Sequence, residues 1–295
     1  MYHDIKNRPE LVVRKIPFTF SECFKAIWNP SKPEWSHMVN GASLTMPYLE
    51  PFLIRTVRET IKLIKIDELK ADAKGFMAQE GQHFINHQRY NDLLKANGYQ
   101  CLQNVEDQMK QEFTGMQSKN LQWRLAYTAG FETMTVGMTE WLINDRKHLF
   151  GGADPSVASF ILWHMVEETE HKNVAFDLYQ YLYPEGYFRR LYGLFKGSTH
   201  IAILSRRGYK TMLEQDGKWN TISSRLRLYG MVARFCFKAM PAVFKAAMPN
   251  YHPSKVKDPS WVAKYVETYT HLEQGEIPLL DTSDPEITPR FNPPS

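Results

Sequence analysis

Two short segments hold residue types that could bind metal. Glu80-Gly81-Gln82-His83 and Glu168-Thr169-Glu170-His171 each set a carboxylate and an imidazole three positions apart. Residues three apart on a helix share a face, so each unit can aim both groups at one point. Carboxylates bridge and neutralise paired cations, and imidazoles suit the same borderline metals. A lone Glu-x-x-His arises by chance in many helices. Two of them on separate helices, in apolar surroundings, are a far stronger signal. Phe76, Met77 and Phe84 flank the first, and Ile161, Leu162, Trp163, Met165 and Val166 precede the second. Unpaired charge in such settings is costly, and coordination relieves it.

The elements that must position these units are helical. Residues 1–40 read as an irregular arm, with Asn29-Pro30-Ser31-Lys32-Pro33 as a loop. A helix is expected from Gly41 to about Ile64, and a second from Asp67 to Ala96, stopped by Asn97-Gly98. Residues 99–118 are amphipathic and ambiguous. A third helix runs from Lys119 to Leu149, ended by Gly151-Gly152. Asp154 caps a fourth, which opens at Pro155 and runs to about Tyr183. Residues 41–184 thus form two helical hairpins, the outline of a four-helix bundle. Beyond it, residues 185–295 read as a helical extension packed on the bundle. Tyr187–Leu213 and Thr221–Ala247 are long basic helices, Trp261–Leu272 is a last helix, and 274–295 is a proline-rich extended tail.

Di-iron bundles add one glutamate from each remaining helix to the two Glu-x-x-His units. Antiparallel neighbours place ligands of one level equally far from the turn that joins them. Glu80 lies about 15 residues beyond the first turn, near 65–66, and Glu50 lies about as far before it at 1.5 Å per residue. Glu59 lies roughly 13 Å too close to that turn. By the same reasoning Glu132 partners Glu168 better than Glu140 does. His164 precedes Glu168 by one turn, so His164, Glu168 and His171 form one stripe. His87 extends Glu80 and His83, and reads better as a core or supporting histidine than as a ligand. Glu167 and Glu170 point off the stripe, towards a solvated face or a supporting role. Tyr127, Thr128 and Asp177 read first as core or surface positions.

The expected metal set is therefore Glu50, Glu80, His83, Glu132, His164, Glu168 and His171. It resembles the pattern of the p-aminobenzoate N-oxygenase type of di-iron protein, Glu … Glu-x-x-His … Glu … His-x-x-x-Glu-x-x-His. The chain also resembles a bacterial family described as predicted metal-dependent hydrolases, over about 40–184 and on into Asn250-Tyr251-His252-Pro253. The resemblance implies an all-α ferritin-like four-helix bundle with added C-terminal helices, and oxygen or peroxide chemistry at a di-iron or mixed iron–manganese centre.

Composition narrows the rest. The chain has 295 residues, a net charge of +4 and only 16 glycines, an ordinary balance for a helical globular protein. Between Arg189 and Lys257 fourteen Lys/Arg face only Glu214 and Asp216. Two readings of these basic helices stand: contact with anionic lipid or capture of a fatty substrate, or a layer over the bundle with its basic face in solvent. The second is preferred. Cys23, Cys101 and Cys236 show neither disulfide nor zinc spacing. No nucleotide loop, Gly-x-Ser-x-Gly elbow or nucleic-acid module is present. A cytoplasmic location is expected, since no secretory signal or membrane span is legible. The expected cofactors are two metal ions, iron first, with Fe/Mn, Mn or Zn as alternatives. The expected function is an oxygen-dependent oxidoreductase or oxygenase acting on a small, largely apolar substrate with an electron donor; the alternative is a two-metal hydrolase. A homodimer is admitted.

Overall fold

The structure is a computed structural model that describes residues 8–20, 24–269, 276–284 and 286–288. The helices are α1 (Pro33–Ser43), α2 (Met46–Thr60), α3 (Asp67–Ala96), α4 (Leu102–Gln117), α5 (Leu121–Asn144) and α6 (Arg146–Phe150), followed by α7 (Pro155–His171), α8 (Val174–Leu182), α9 (Tyr187–Gln215), α10 (Ile222–Ala246) and α11 (Ser260–Tyr269). Short 3-10 turns occupy Ile61–Leu63 and Pro253–Lys255. Among the described residues no β-strand forms, so the fold is all-α.

Several boundaries differ from the sequence reading, each for a local reason. The segment read as an irregular arm already contains α1. The helix expected from Gly41 breaks at Leu44-Thr45, just ahead of Pro47. Proline has no N–H to continue the ladder, and Thr45 Oγ1 instead bonds the Ala42 carbonyl at 2.7 Å. The ambiguous stretch at 99–118 is helix α4. The fourth expected helix is interrupted at Lys172-Asn173, where the Lys172 ammonium leaves to bond Val256 O at 2.7 Å and to pair with Asp258. Asp154 caps α7 as expected, accepting from Ser156 N and Val157 N at 2.9 and 3.2 Å. The last three residues of the helix expected over 261–272, parts of the tail and arm, and Cys23 lie outside the described residues.

Helix α5 is the centre of the molecule. From Arg124 to Gly137 every residue is buried, and the helix has no polar face, as expected of a helix surrounded on all sides. Its threonines satisfy themselves, Thr128 and Thr133 bonding the carbonyls of Arg124 and Ala129 at 2.9 and 2.6 Å. Helix α2 packs on α3 and α5, and both α3 and α5 pack on α7 and α8. This circuit encloses a common interior.

Helix α9 closes over α5 and α1 by backbone approach. A Cβ on Gly193 would stand 1.9 Å from Ala126 O, and one on Gly130 would stand 2.1 Å from the Gly193 carbonyl carbon. On α1, a Cβ on Gly41 would stand 2.4 Å from Ser205 O. Glycine is required at these crossings because any side chain would meet rigid backbone.

The N-terminal arm is extended and alternates. Arg14, Ile16 and Phe18 are buried, while Lys15, Pro17 and Thr19 are exposed, the period-two pattern of extended chain. Phe18 packs on Phe160 and Trp163 of α7, ring centroids 5.5 and 5.2 Å apart.

Replacing Gly193 by Ala should prise α9 from α5 and destabilise the protein by on the order of 3 kcal/mol, lowering the melting temperature by roughly 5–10 °C. Gly230, on the open side of α10 with nothing within 4 Å of a Cβ, is the control: Gly230→Ala should leave the melting temperature unchanged or slightly raised. Thermal melts followed by circular dichroism decide the matter, and equal melts for the two variants would refute the packing argument.

Candidate metal centre

Seven expected residues arrive in one buried region. Glu50 comes from α2, Glu80 and His83 from α3, Glu132 from α5, and His164, Glu168 and His171 from α7. None is more than 4% exposed. Their donor atoms fall into overlapping sets within 4.8 Å: Glu80, Glu132, Glu168 and His171; Glu50, Glu80 and His83; and His83, His164 and Glu168. A further set joins Glu50, His164 and His87. The two rejected glutamates lie elsewhere. Glu59 pairs with Arg124 at 2.5 Å near the surface, and Glu140 is exposed. Of these like residues, the two chosen by interhelical level are the ones whose donor atoms meet in the cluster.

Hydrogen bonding outside the cluster fixes which nitrogen of each imidazole faces in. At His171, Gln79 Nε2 donates to the Val12 carbonyl and to Glu170 Oε2, both at 3.0 Å. A backbone carbonyl can only accept, so Gln79 Oε1 is the acceptor for His171 Nδ1–H at 3.0 Å. His171 Nε2 is then the nitrogen that faces inward, offering a lone pair whenever the ring is neutral. It lies 3.2 Å from Glu80 Oε1, 3.3 Å from Glu168 Oε2 and 3.6 Å from Glu132 Oε2.

At His83, Nε2 hydrogen-bonds Glu167 Oε2 at 3.1 Å, donating to it when Glu167 is ionised, and Nδ1 faces Glu168 Oε1 and Glu80 Oε1 at 3.7 and 3.9 Å. At His164 the relay is longer. Asn91 Nδ2 donates to the Ser43 carbonyl at 3.0 Å, so Asn91 Oδ1 accepts from Ser43 Oγ at 2.8 Å. With its proton committed, Ser43 Oγ accepts from His87 Nδ1 at 2.8 Å. Burial, then the neighbouring His164, holds His87 well below the usual imidazole range, so the ring is neutral and its Nε2 accepts from His164 Nδ1 at 2.8 Å. His164 Nε2 is left with a lone pair 2.9 Å from Glu168 Oε1. Two acceptors at that distance call for a cation or a proton between them. Both nitrogens of His87 are engaged, which fits a supporting role for this residue.

The carboxylates state the same need. Eight side-chain atoms of the cluster are buried without a hydrogen-bond partner: both oxygens of Glu50 and of Glu132, Glu80 Oε1, Glu168 Oε2, His83 Nδ1 and His171 Nε2. Burial, reinforced by Glu168 and Glu132, pushes Glu50 and Glu80 well above the carboxylate range. Burial and Glu168 push Glu132 up to about 7. Burial also opposes the charge of Glu168, but His171 and His164 outweigh it and hold that carboxyl low. His171 is raised in turn, Glu168 overcoming the effect of burial. Protons thus stand in for positive charge that the cluster needs. Two divalent cations bring four positive charges to four carboxylates, and the donor set of four carboxylates and three imidazoles fits them.

Around the cluster, two further carboxylates converge on one arginine of the arm. Arg14 bonds Glu167 at 3.2 Å and forks onto Glu170 at 2.6 and 2.7 Å. Glu167 is fully buried, contrary to the solvated-face reading; it also accepts from Trp163 Nε1 at 3.1 Å. Burial pushes its carboxyl up to about 8, with Arg14 acting against the rise. Arg14 therefore reaches His83 through Glu167, and His171 through Glu170 and Gln79. The sequence reading missed Arg14 and Gln79. The alternation Arg14-x-Ile16-x-Phe18 was the signal available for the former; Gln79 sits one residue before Glu80 and carried no signal of its own. Tyr127, Thr128 and Asp177 lie off the cluster, bonding His200, the Arg124 carbonyl, and Arg8 with His252 respectively.

A family model described as predicted metal-dependent hydrolase matches residues 12–257, from the arm through α10. The chain matches no curated protein and no solved structure.

Removing the outer partner of an inward histidine should weaken metal binding. Gln79→Met and Glu167→Met are each expected to lower affinity by roughly 10–100-fold, read by competition against a chromophoric chelator. Glu59→Gln and Glu140→Gln should bind as the parent does. A loss of affinity in these controls equal to that of Gln79→Met would contradict the assignment.

Proposed function

The chain belongs to the predicted metal-dependent hydrolase family, and from that premise we propose that α2, α3, α5 and α7 form a ferritin-like four-helix bundle holding two divalent metal ions for hydrolysis. Glu50, Glu80, His83, Glu132, His164, Glu168 and His171 are the proposed ligands. The observation that carries the reading is the inward-facing nitrogen that the surrounding hydrogen bonds leave on each of three histidines, among carboxylate oxygens that have no partner. When bound, a metal pair supplies a lowered pKa to a coordinated water and polarises a carbonyl or phosphoryl oxygen.

The protein's own groups orient and exclude. Glu167 and Gln79 hold the outer protons of His83 Nε2 and His171 Nδ1, so these rings cannot turn their lone pairs away. Phe76 covers the His171 ring edge-on at 4.8 Å, and Trp163 covers His83 at 5.1 Å. Both are fully buried, keeping bulk water from the donor atoms. A surface cleft of about 500 Å³ at the α8–α9 junction is lined by Gln122, Tyr183, Phe188 and Arg189 among others, and includes none of the ligands.

A second reading, oxygen-dependent oxidation of a small apolar substrate with electrons from an external donor, is favoured by the donor set. Mixed carboxylate and imidazole ligands in a helical bundle suit iron, and the aromatic surroundings of the cluster suit an apolar substrate.

Metal analysis of the reconstituted protein should find about two ions per chain. Glu132→Ala and Glu168→Ala should bind fewer. Under the hydrolytic reading the zinc- or manganese-loaded protein cleaves members of an ester and phosphoester panel without oxygen, and both variants lose at least about 100-fold in rate. Oxygen consumption by the iron-loaded, reduced protein, with no hydrolysis under any metal, would decide for the second reading. Failure to bind any metal would sink both.

A further inference from the structure

The outer layer formed by α9 and α10 carries most of the molecule's exposed apolar side chains. Of thirteen large hydrophobic residues exposed among the described residues, ten lie between Phe188 and Met248. On α10 they are Ile222, Leu226, Tyr229, Phe237 and Phe244, with Met248 just beyond, at steps of three, four, seven and eight. That spacing keeps them on one side of the helix. Phe237 is 82% exposed and Ile222 80%. Helix α9 repeats the pattern with Phe188, Tyr192, Phe195 and Ile203. The opposite sides of both helices are occupied, since both pack on α5 and α1. The hairpin is also tied at its far end, where Arg190 bonds the carbonyls of Ala246 and Met248 at 2.8 and 3.1 Å.

Charge runs beside the apolar stripe. Helix α10 contains no acidic residue and has Arg225, Arg227, Arg234, Lys238 and Lys245. Arg227 and Arg234 are held by Glu34 and Asp145 of the body. Lys238 and Lys245 stand exposed on the same flank of the helix, four and eleven residues on from Arg234. Arg189 and Arg206 are exposed on α9. The sequence reading preferred a basic face in solvent. The structure adds large apolar side chains that face solvent beside those cations.

We propose that the α9–α10 face docks in the plane of an anionic lipid surface. An amphipathic helix with cations flanking a bulky apolar side lies in such an interface, its apolar groups among the acyl chains and its cations at the headgroups. At about 37 Å, α10 is long enough for several such anchors. A second copy of this chain fits poorly. Two-fold pairing sets a patch against itself, bringing acid-free, basic flanks together. Among the described residues no helix is long and apolar enough to cross a membrane, so the proposed contact is peripheral. The proposal is independent of the metal chemistry.

The test is co-sedimentation of the full chain with vesicles of phosphatidylcholine alone and of phosphatidylcholine with phosphatidylglycerol. Binding is expected to the mixed vesicles only, and to weaken in 0.5 M salt as screening shortens to a few ångströms. Lys238→Gln with Lys245→Gln should weaken binding roughly 30-fold, at about 1 kcal/mol per cation. Phe237→Gln with Phe244→Gln should weaken it at least tenfold, with unchanged melting, since both positions are exposed. Absence of binding to anionic vesicles would overturn the proposal, as would binding indifferent to both double variants. So would a dimer in gel filtration that the Phe237→Gln/Phe244→Gln variant dissociates, which would assign the face to a second copy.

Discussion

Four carboxylates, Glu50, Glu80, Glu132 and Glu168, meet in an interior from which water is excluded, and like charges so close cannot all stay ionised without cations among them. The surrounding structure is arranged around this constraint. An interior built for stability alone would fill the same space with leucine, because an unrelieved buried carboxylate is expensive. Retaining four of them makes sense only if something of opposite charge belongs there. The histidines sharpen the point. Each outer nitrogen is committed to a defined partner outside the cluster, so the other nitrogen of each ring faces the carboxylates.

Those commitments lead outward to the chain's first described residues. Glu167 holds His83, and Gln79 holds His171. Arg14 binds Glu167 directly, and it binds Glu170, which in turn accepts from Gln79. An arginine is suited to the place because its guanidinium stays charged and forks onto two carboxylates at once. Burial works against that charge, but Glu170 and Glu167 outweigh it and keep the group protonated. The extended arm is thus part of the support for the cluster, and its seating on Phe160 and Trp163 helps set the geometry of two inward nitrogens. Helix packing alone would leave the ring orientations of His83 and His171 undetermined.

Much of this was legible in the sequence, and the parts that were not have physical reasons. Spacing within a helix is rigid, so Glu80 with His83, and His164 with Glu168 and His171, could be read directly. Level across a turn is nearly as rigid, and it separated Glu50 from Glu59 and Glu132 from Glu140. Helix ends were less secure. The break at Lys172-Asn173 follows from a lysine drawn to Val256 and Asp258, residues more than eighty positions away. Arg14 was missed for the same kind of reason. Its partners lie about 150 residues along the chain, and only the short alternation of the arm hinted that it faced inward. For Glu167 a solvated face and a supporting role both stood open, because its helix face was judged against the bundle, without the arm that covers it.

The same central helix joins the two halves of the molecule. Helix α5 presents Glu132 to the cluster, and two residues earlier Gly130 lets the backbone of α9 approach to contact at Gly193. A turn further along α9, Gly197 meets the backbone of Phe131. Packing at backbone distance cannot be adjusted by side-chain rotation, so a displacement of α9 must be shared by α5 or relieved by separation of the two helices. The layer with the exposed apolar face is therefore held in fixed register with the helix that carries Glu132. Glycine at these crossings ties the outer face to the helix that carries Glu132.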